Sequence, residues 1–204
     1  MSILDKSGVL SRVSPENPIV IELGCGPSKK DSEAIGVDVL DFPCVDLVGD
    51  IFEALAALPD ASVSSCRSSH FLEHVADLAR LIDEIERVLI PGGEMIATVP
   101  HFSNPYFYSD PTHSRFFGLY SMSYFASDDL LSRKVPLYGR VPALALEAVH
   151  LGFNSPFPVR GLVKRAIGRG LNLCTFVQEF WEENLCYFFP CYELTYRLRR
   201  VSRE

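Results

Sequence analysis

Residues 18–27, PIVIELGCGP, constrain the fold more than any other stretch of this chain. A β-branched apolar run of strand length ends on Gly24-Cys25-Gly26-Pro27, a cluster of chain-breakers. A continuous apolar run, unlike an alternating one, describes a strand covered on both faces, and such strands belong to parallel sheets. Residues 34–39 (AIGVDV) repeat the pattern and close on an acid, and residues 45–49 (VDLVG) repeat it again just before Asp50. Short strands that each finish on Gly or Asp predict an open α/β sheet with its loops gathered at the carboxyl ends of the strands.

The rest of the chain fits that sheet. In residues 77–90 the apolar positions 78, 81, 82, 85, 88 and 89 follow the spacing of an amphipathic helix, with Asp77 as its N-cap and Pro91-Gly92-Gly93 as its stop. Residues 94–99 (EMIATV) follow as a strand. Residues 63–70 then become the preceding strand of a βαβ unit, although VSSCRSSH is unusually polar for a central position. Tyr192, Leu194, Tyr196 and Leu198 alternate with Glu193, Thr195, Arg197 and Arg199, as in a strand with one exposed face. Residues 143–150 are read as its partner, though a helix fits them nearly as well. Residues 159–171, VRGLVKRAIGRGL, read as a short basic amphipathic helix. The expected class is α/β: a Rossmann-like, mostly parallel sheet with a C-terminal antiparallel hairpin and a helical insertion.

Composition enters as exclusion. The 204 residues carry a net charge of −7, which argues against general nucleic-acid binding. The charge is uneven: residues 1–130 hold 8 Lys and Arg against 20 Asp and Glu, and residues 131–204 hold 11 against 6. No stretch reaches the roughly 18–20 apolar residues of a membrane span, and residues 1–18 have no apolar signal core. The six cysteines form no CxxC pair and read as reduced thiols, so a cytoplasmic location is expected.

The glycine turn points to a ligand. Gly24 and Gly26 let the backbone approach a bound group where a Cβ would clash. Asp38, at the tip of the second strand, stands where dinucleotide folds hold a ribose diol, and Asp50 at the tip of the third meets the adenine edge. Pro-Ser-Lys follows Gly26 where a third glycine would pack a pyrophosphate, so a nucleoside without phosphates is favoured. Beyond Pro100, residues 101–125 are dense in His, Tyr, Phe, Asp and Ser, without a period, as in a functional loop or lid. His101 or His113 is the candidate general base, with Asp110 orienting it. Tyr106 and Arg115 are candidate acceptor contacts. The competing reading of DPTHSRFF is a structural lid. His70-Phe-Leu-Glu73-His74 also fits the H-x-x-E-H zinc-hydrolase pattern, with His101 and His113 as further ligands; the alternative has Glu73 and His74 ordering a loop.

VIELGCGP, GVDV, GD, SSHFLEHVADL and RVLIPGGEMIATVPH resemble, in order, the motifs of class I S-adenosylmethionine-dependent methyltransferases of the small Rossmann-like branch, over about residues 19–125. PHFSNPYFYSDPTHSRFFGLY resembles uncharacterised bacterial members of that branch. The resemblance implies S-adenosylmethionine as cofactor and S-adenosylhomocysteine as product. Glu22, Gly24, Cys25 and Gly26 frame the methionine end, Asp38 takes the ribose, Val39, Asp50 and Ile51 surround the adenine, and Ser69 and His70 line the cofactor. It implies direct methyl transfer to a small-molecule or carrier-bound acceptor with no metal. The sequence departs from the pattern in three places. Only about eight residues separate the glycine turn from the second strand, so the usual first helix is shortened or lost. Ser64 stands where the fourth strand commonly has an acid, and the C-terminal 70 residues match poorly. A non-catalytic nucleoside-binding or scaffolding protein is the alternative from another class. The expected organisation is a loose leader at 1–17 and one domain at 18–204: a cofactor half at 18–100, an acceptor loop or lid at 101–135, and the hairpin with its insertion at 136–204. The 159–171 helix is expected to touch anionic lipid or a phosphorylated acceptor, or else to be a solvated face or a homodimer contact.

Overall fold

The computed structural model describes residues 3–202. Eight strands form one sheet: β1 (Leu4–Asp5), β2 (Ile19–Leu23), β3 (Ile35–Asp38), β4 (Leu47–Val48), β5 (Val63–Ser69), β6 (Leu89–Pro100), β7 (Leu144–Gly152) and β8 (Glu193–Arg200). Their spatial order is β1-β4-β3-β2-β5-β6-β8-β7. The five from β4 to β6 run parallel, β1 and β8 are antiparallel to their neighbours β4 and β6, and β7 is antiparallel to β8. The helices are α1 (Ile51–Ala56), α2 (Leu78–Val88), α3 (Pro158–Leu171) and α4 (Thr175–Asn184). This is the expected α/β class. The hairpin is formed by β7 and β8, with α3 and α4 inserted between them.

Local chemistry explains the elements. Asp77 caps α2 by accepting from the Arg80 N–H, and the helix buries Leu81, Ile82, Ile85 and Val88. The chain turns straight from Val88 into β6. Leu89 pairs with Val63 and Glu94 with Ser65, so Pro91-Gly92-Gly93 bulges out of the ladder instead of lying beyond the strand start, with Gly92 at φ +79°. β5 is a strand despite its polarity because it has ladder partners on both sides, Ile19–Leu23 and β6. Its hydroxyls find work: Ser64 Oγ donates to the Ile19 carbonyl, and Ser65 Oγ lies 3.3 Å from Glu94.

The first strand corrects one expectation. Residues 3–17 are not loose. β1 pairs with β4, the Asp5 carboxylate accepts from the Val9 and Leu10 N–H groups, and Val9 and Val13 are buried. Between β2 and β3 there is no helix at all. The buried Glu22 carboxylate accepts instead from the backbone N–H groups of Lys30 and Asp31, and Asp46 accepts from Gly36 N and Lys29 Nζ. Two carboxylates thus organise the loop that a helix organises elsewhere, in agreement with the short spacing read from the sequence.

Candidate functional site

The strand order reverses at β2: the chain next builds β3 and β4 on one side of it, then β5 and β6 on the other. Open α/β sheets bind ligands at the carboxyl ends of the strands at such a point. Here a cleft of about 520 Å³ opens, lined by Gly24, Asp38, Val39, Asp50, Ile51 and Phe52 on one wall and by His70, Phe71, His74, Val75 and Ala76 on the other. Gly24 is required by both conformation and space. Its φ is +61°, and a Cβ there would stand 2.3 Å from the Phe71 ring. Asp38 accepts from Gly26 N at 2.8 Å through one oxygen and from Leu40 N at 2.9 Å through the other. Each carboxylate oxygen keeps a further lone pair for a ligand. Asp50 caps α1 through Oδ1, accepting from Phe52 and Glu53 N–H. Val39 is 67% exposed, an apolar shelf at a strand tip beside that acid.

A second cleft of about 340 Å³ adjoins the first, lined by Glu22, Lys30, Arg67, Ser68, Ser69, Thr98 and Glu193, with His70 lining both. Where the first cleft is apolar with an acid at its edge, the second is charged in both signs. His70 sits in the left-handed region at φ +53°, which strains a non-glycine residue. Its Nε2 lies 3.1 Å from Glu193 and its Nδ1 3.5 Å from Glu73. The Glu193 hydrogen bond first, and Glu73 second, raise its pKa to about 9 against the opposing effect of burial. The ring is therefore an imidazolium at neutral pH. Cys25 and Gly26, expected to frame the ligand, line neither cleft. The Cys25 thiol packs inward against Gly36 and is pushed up to about 12, by burial first, then by Cys44, Asp38 and Glu22.

Residues 101–125 bring only part of the expected catalytic set together. His101 is fully buried and wedged between Phe102 and Trp181. Its Nδ1 accepts from Ser103 N, so its Nε2 donates to Glu182 at 3.0 Å. Both nitrogens are committed in the core, and the ring lines neither cleft. Arg115 turns its guanidinium to the carbonyls of Val75 and Ala76, while Ser114 and Arg115 N–H groups donate to the Glu73 carbonyl. It pins the 73–76 turn, and it lines a separate groove with Phe116, Tyr124 and Tyr138. Tyr106 is half-exposed and lines a separate groove with Arg160 and Lys164 of α3. His113 and Asp110 do lie together, with Nε2 3.7 Å from Oδ2. The two histidines of the H-x-x-E-H pattern do not converge on one point. His70 closes β5 and pairs with Glu193, while the His74 ring faces His113 at 4.9 Å. Sequence reading gave His74 a loop-ordering or a zinc-ligand part and did not single out Phe52 or Phe71; all three line the larger cleft. The H-x-x-E-H pattern was the available signal for His74, and only the fold assigns it a wall of the cleft.

Residues 28–97 match a family model described as a methyltransferase domain. Over 107 residues, 41% of this chain, the sequence is 29% identical to an uncharacterized 37.1 kDa protein in a transposon of Streptomyces fradiae, and the chain spans 30% of that protein's length. Among solved structures, an S-adenosylmethionine-dependent methyltransferase from Archaeoglobus fulgidus aligns over 96% of this chain and 94% of its own, at 18% identity and TM-score 0.55. Phosphoethanolamine N-methyltransferase 2 of Haemonchus contortus, in complex with S-adenosyl-L-methionine, aligns over 96% of this chain and 52% of its own, at 16% identity and TM-score 0.52. At such identities the likeness is one of fold.

Proposed function

We propose that this chain, built on the class I S-adenosylmethionine-dependent methyltransferase fold, transfers the methyl group of S-adenosylmethionine to a small-molecule or carrier-bound acceptor. The observation that carries the reading is the pair of clefts meeting at His70 on the strand-order reversal, one an apolar slot with Asp38 at its edge, the other a polar chamber. A nucleoside joined to a zwitterionic amino acid matches that division. The free lone pairs of Asp38 accept from the ribose hydroxyls, and Val39, Ile51 and Phe52 face the adenine. Glu22, Arg67 and His70 offer both signs of charge to the amino-acid end. When bound, S-adenosylmethionine supplies an electrophilic methyl carbon on its sulfonium. The protein's part is to hold acceptor and methyl in line and to take up a proton where the acceptor releases one. Once His101 is set aside, His74 and His113, beside the larger cleft, are the candidates for that proton in the metal-free chain.

The acceptor side supports a carrier at an anionic surface. The groove that holds Tyr106 is closed by Phe157, Arg160 and Lys164 at the start of α3, so the acceptor loop abuts the basic insertion. Among the described residues no helix is long and apolar enough to cross a membrane. Surface contact is the mode proposed.

Calorimetric titration of S-adenosylhomocysteine tests the cofactor reading. Binding to the wild type with Kd near ~10 μM is expected. Asp38→Asn, which keeps one oxygen acceptor but loses the charge, weakens it by about 1.5–3 kcal/mol. No binding to the wild type overturns the reading. Binding without methyl transfer to any of a broad acceptor panel favours the non-catalytic nucleoside-binding alternative.

A further inference from the structure

The turn after β5 and the DPTH segment of the acceptor loop converge on one point. A carboxylate oxygen of Glu73 and one ring nitrogen each of His74 and His113 lie within 4.8 Å of one another. Glu73 is fully buried, and neither of its carboxylate oxygens has a hydrogen-bond partner; its nearest cation is His70 at 3.5 Å. A buried carboxylate whose one charge partner stands at 3.5 Å keeps lone pairs for a further cation.

The two histidines are in the tautomer that a metal uses. His113 Nδ1 lies 2.9 Å from the Phe107 carbonyl, which can only accept, so Nδ1 carries a proton, and Nε2 stands 3.7 Å from Asp110 Oδ2, outside hydrogen-bond distance of it and open to an ion. The Thr112 hydroxyl donates to Asp110 at 2.6 Å and therefore accepts from His74 Nδ1 at 2.9 Å, which frees His74 Nε2 in the same way. Metal-binding histidines commonly have their second nitrogen oriented by just such an oxygen. The geometry points to a site for a divalent first-row transition ion, with Glu73, His74 and His113 as its protein ligands. Two imidazoles and one carboxylate suit zinc and its borderline neighbours and not calcium or magnesium, which demand oxygen. Ligands held about 2.0–2.2 Å from an ion stand about 3.3–3.5 Å apart in a tetrahedron. The donors must draw together by roughly an ångström, which the exposed His74 is free to do. Three protein ligands leave a position open, and His74 lines the large cleft, so that position takes an oxygen of water.

The site stands on its own donors and not on the methyl-transfer reading. Its test is titration of chelator-treated full chain with Co²⁺ and Zn²⁺, alongside His74→Ala, His113→Ala and Glu73→Gln. One equivalent is expected, with a Co²⁺ ligand-field spectrum free of thiolate charge transfer, since nitrogen and oxygen hold it. Affinity falls about tenfold or more in each variant. His74→Ala removes an exposed ring, so its loss of binding is read on a folded protein, checked by circular dichroism. S-adenosylhomocysteine titrated into the same metal-free samples reads the cofactor cleft separately. Absence of stoichiometric binding to the wild type, thiolate bands, or wild-type affinity in both histidine variants overturns the proposal.

Discussion

The core of the acceptor loop is organised around His101. Ser103 holds one nitrogen, Glu182 the other, and Glu182 in turn accepts from the Leu119 N–H. Truncation to Ala leaves a largely buried carboxylate short of a partner, which costs about 2–4 kcal/mol. We expect His101→Ala to lower the thermal midpoint while S-adenosylhomocysteine affinity changes by less than about twofold. His101→Gln, which keeps a donor toward Glu182, recovers part of the loss. Wild-type stability combined with lost turnover and a flattened pH profile would return His101 to the chemistry. The sequence places this histidine directly after a strand, at the pocket's edge. What it does not display is Glu182, 81 residues away, which pulls the ring into the core. Gly24 and Asp38, by contrast, were legible, because a turn glycine and a strand-tip acid act locally.

The insertion behaves unlike the other helices. α2 turns its apolar stripe inward, but α3 buries only Gly161 and Gly168, and a Cβ on Gly168 would press within 2.7 Å of the Phe153 ring. The helix lies on its glycines and presents its large side chains outward: Val159 is 77% exposed, Phe176 at the start of α4 71%, and Phe188 beyond it 89%. Arg160, Lys164, Arg165 and Arg169 are interspersed with them. The basic amphipathic helix read over 159–171 is therefore a real helix whose apolar side chains are not core. Periodicity alone cannot tell which face is covered. An apolar face set among cations fits an anionic lipid surface. Vesicles containing phosphatidylglycerol should sediment the protein at low salt and release it at high salt, and neutral vesicles should not. Leu162→Glu with Phe176→Glu abolishes co-sedimentation and leaves the fold intact, because both side chains are exposed. Self-association by sedimentation equilibrium without lipid binding would assign the face to a second copy instead. α1 escaped sequence reading for a simpler reason: six residues are too short to show a period.

At the scale of the molecule, the acidic part of the chain supplies every wall of the larger cleft, and the basic part supplies the hairpin and its insertion, reaching the smaller cleft through Glu193. The sheet joins them, and its first edge depends on residues 3–17. β4 is only two residues long and would be a bare edge next to the ligand wall. β1 covers it, and the Ile3 side chain packs where a Gly49 Cβ would stand, 2.5 Å away, one residue before Asp50. Val9 and Val13 bury their side chains beneath, at about 1.5–3 kcal/mol each for full burial. A polar-looking leader does not advertise this, since its apolar residues are spaced too widely to form a run. Deleting residues 1–17 should therefore lower unfolding stability by roughly 3–5 kcal/mol in urea. It should also loosen S-adenosylhomocysteine, because Gly49 and Asp50 lose their support. The double substitution Val9→Ala and Val13→Ala separates the two effects: it removes buried area but keeps the β1–β4 pairing, so stability falls while ligand affinity holds. A deletion variant with unchanged urea midpoint and unchanged affinity would mean that the first strand rests on the fold without holding it.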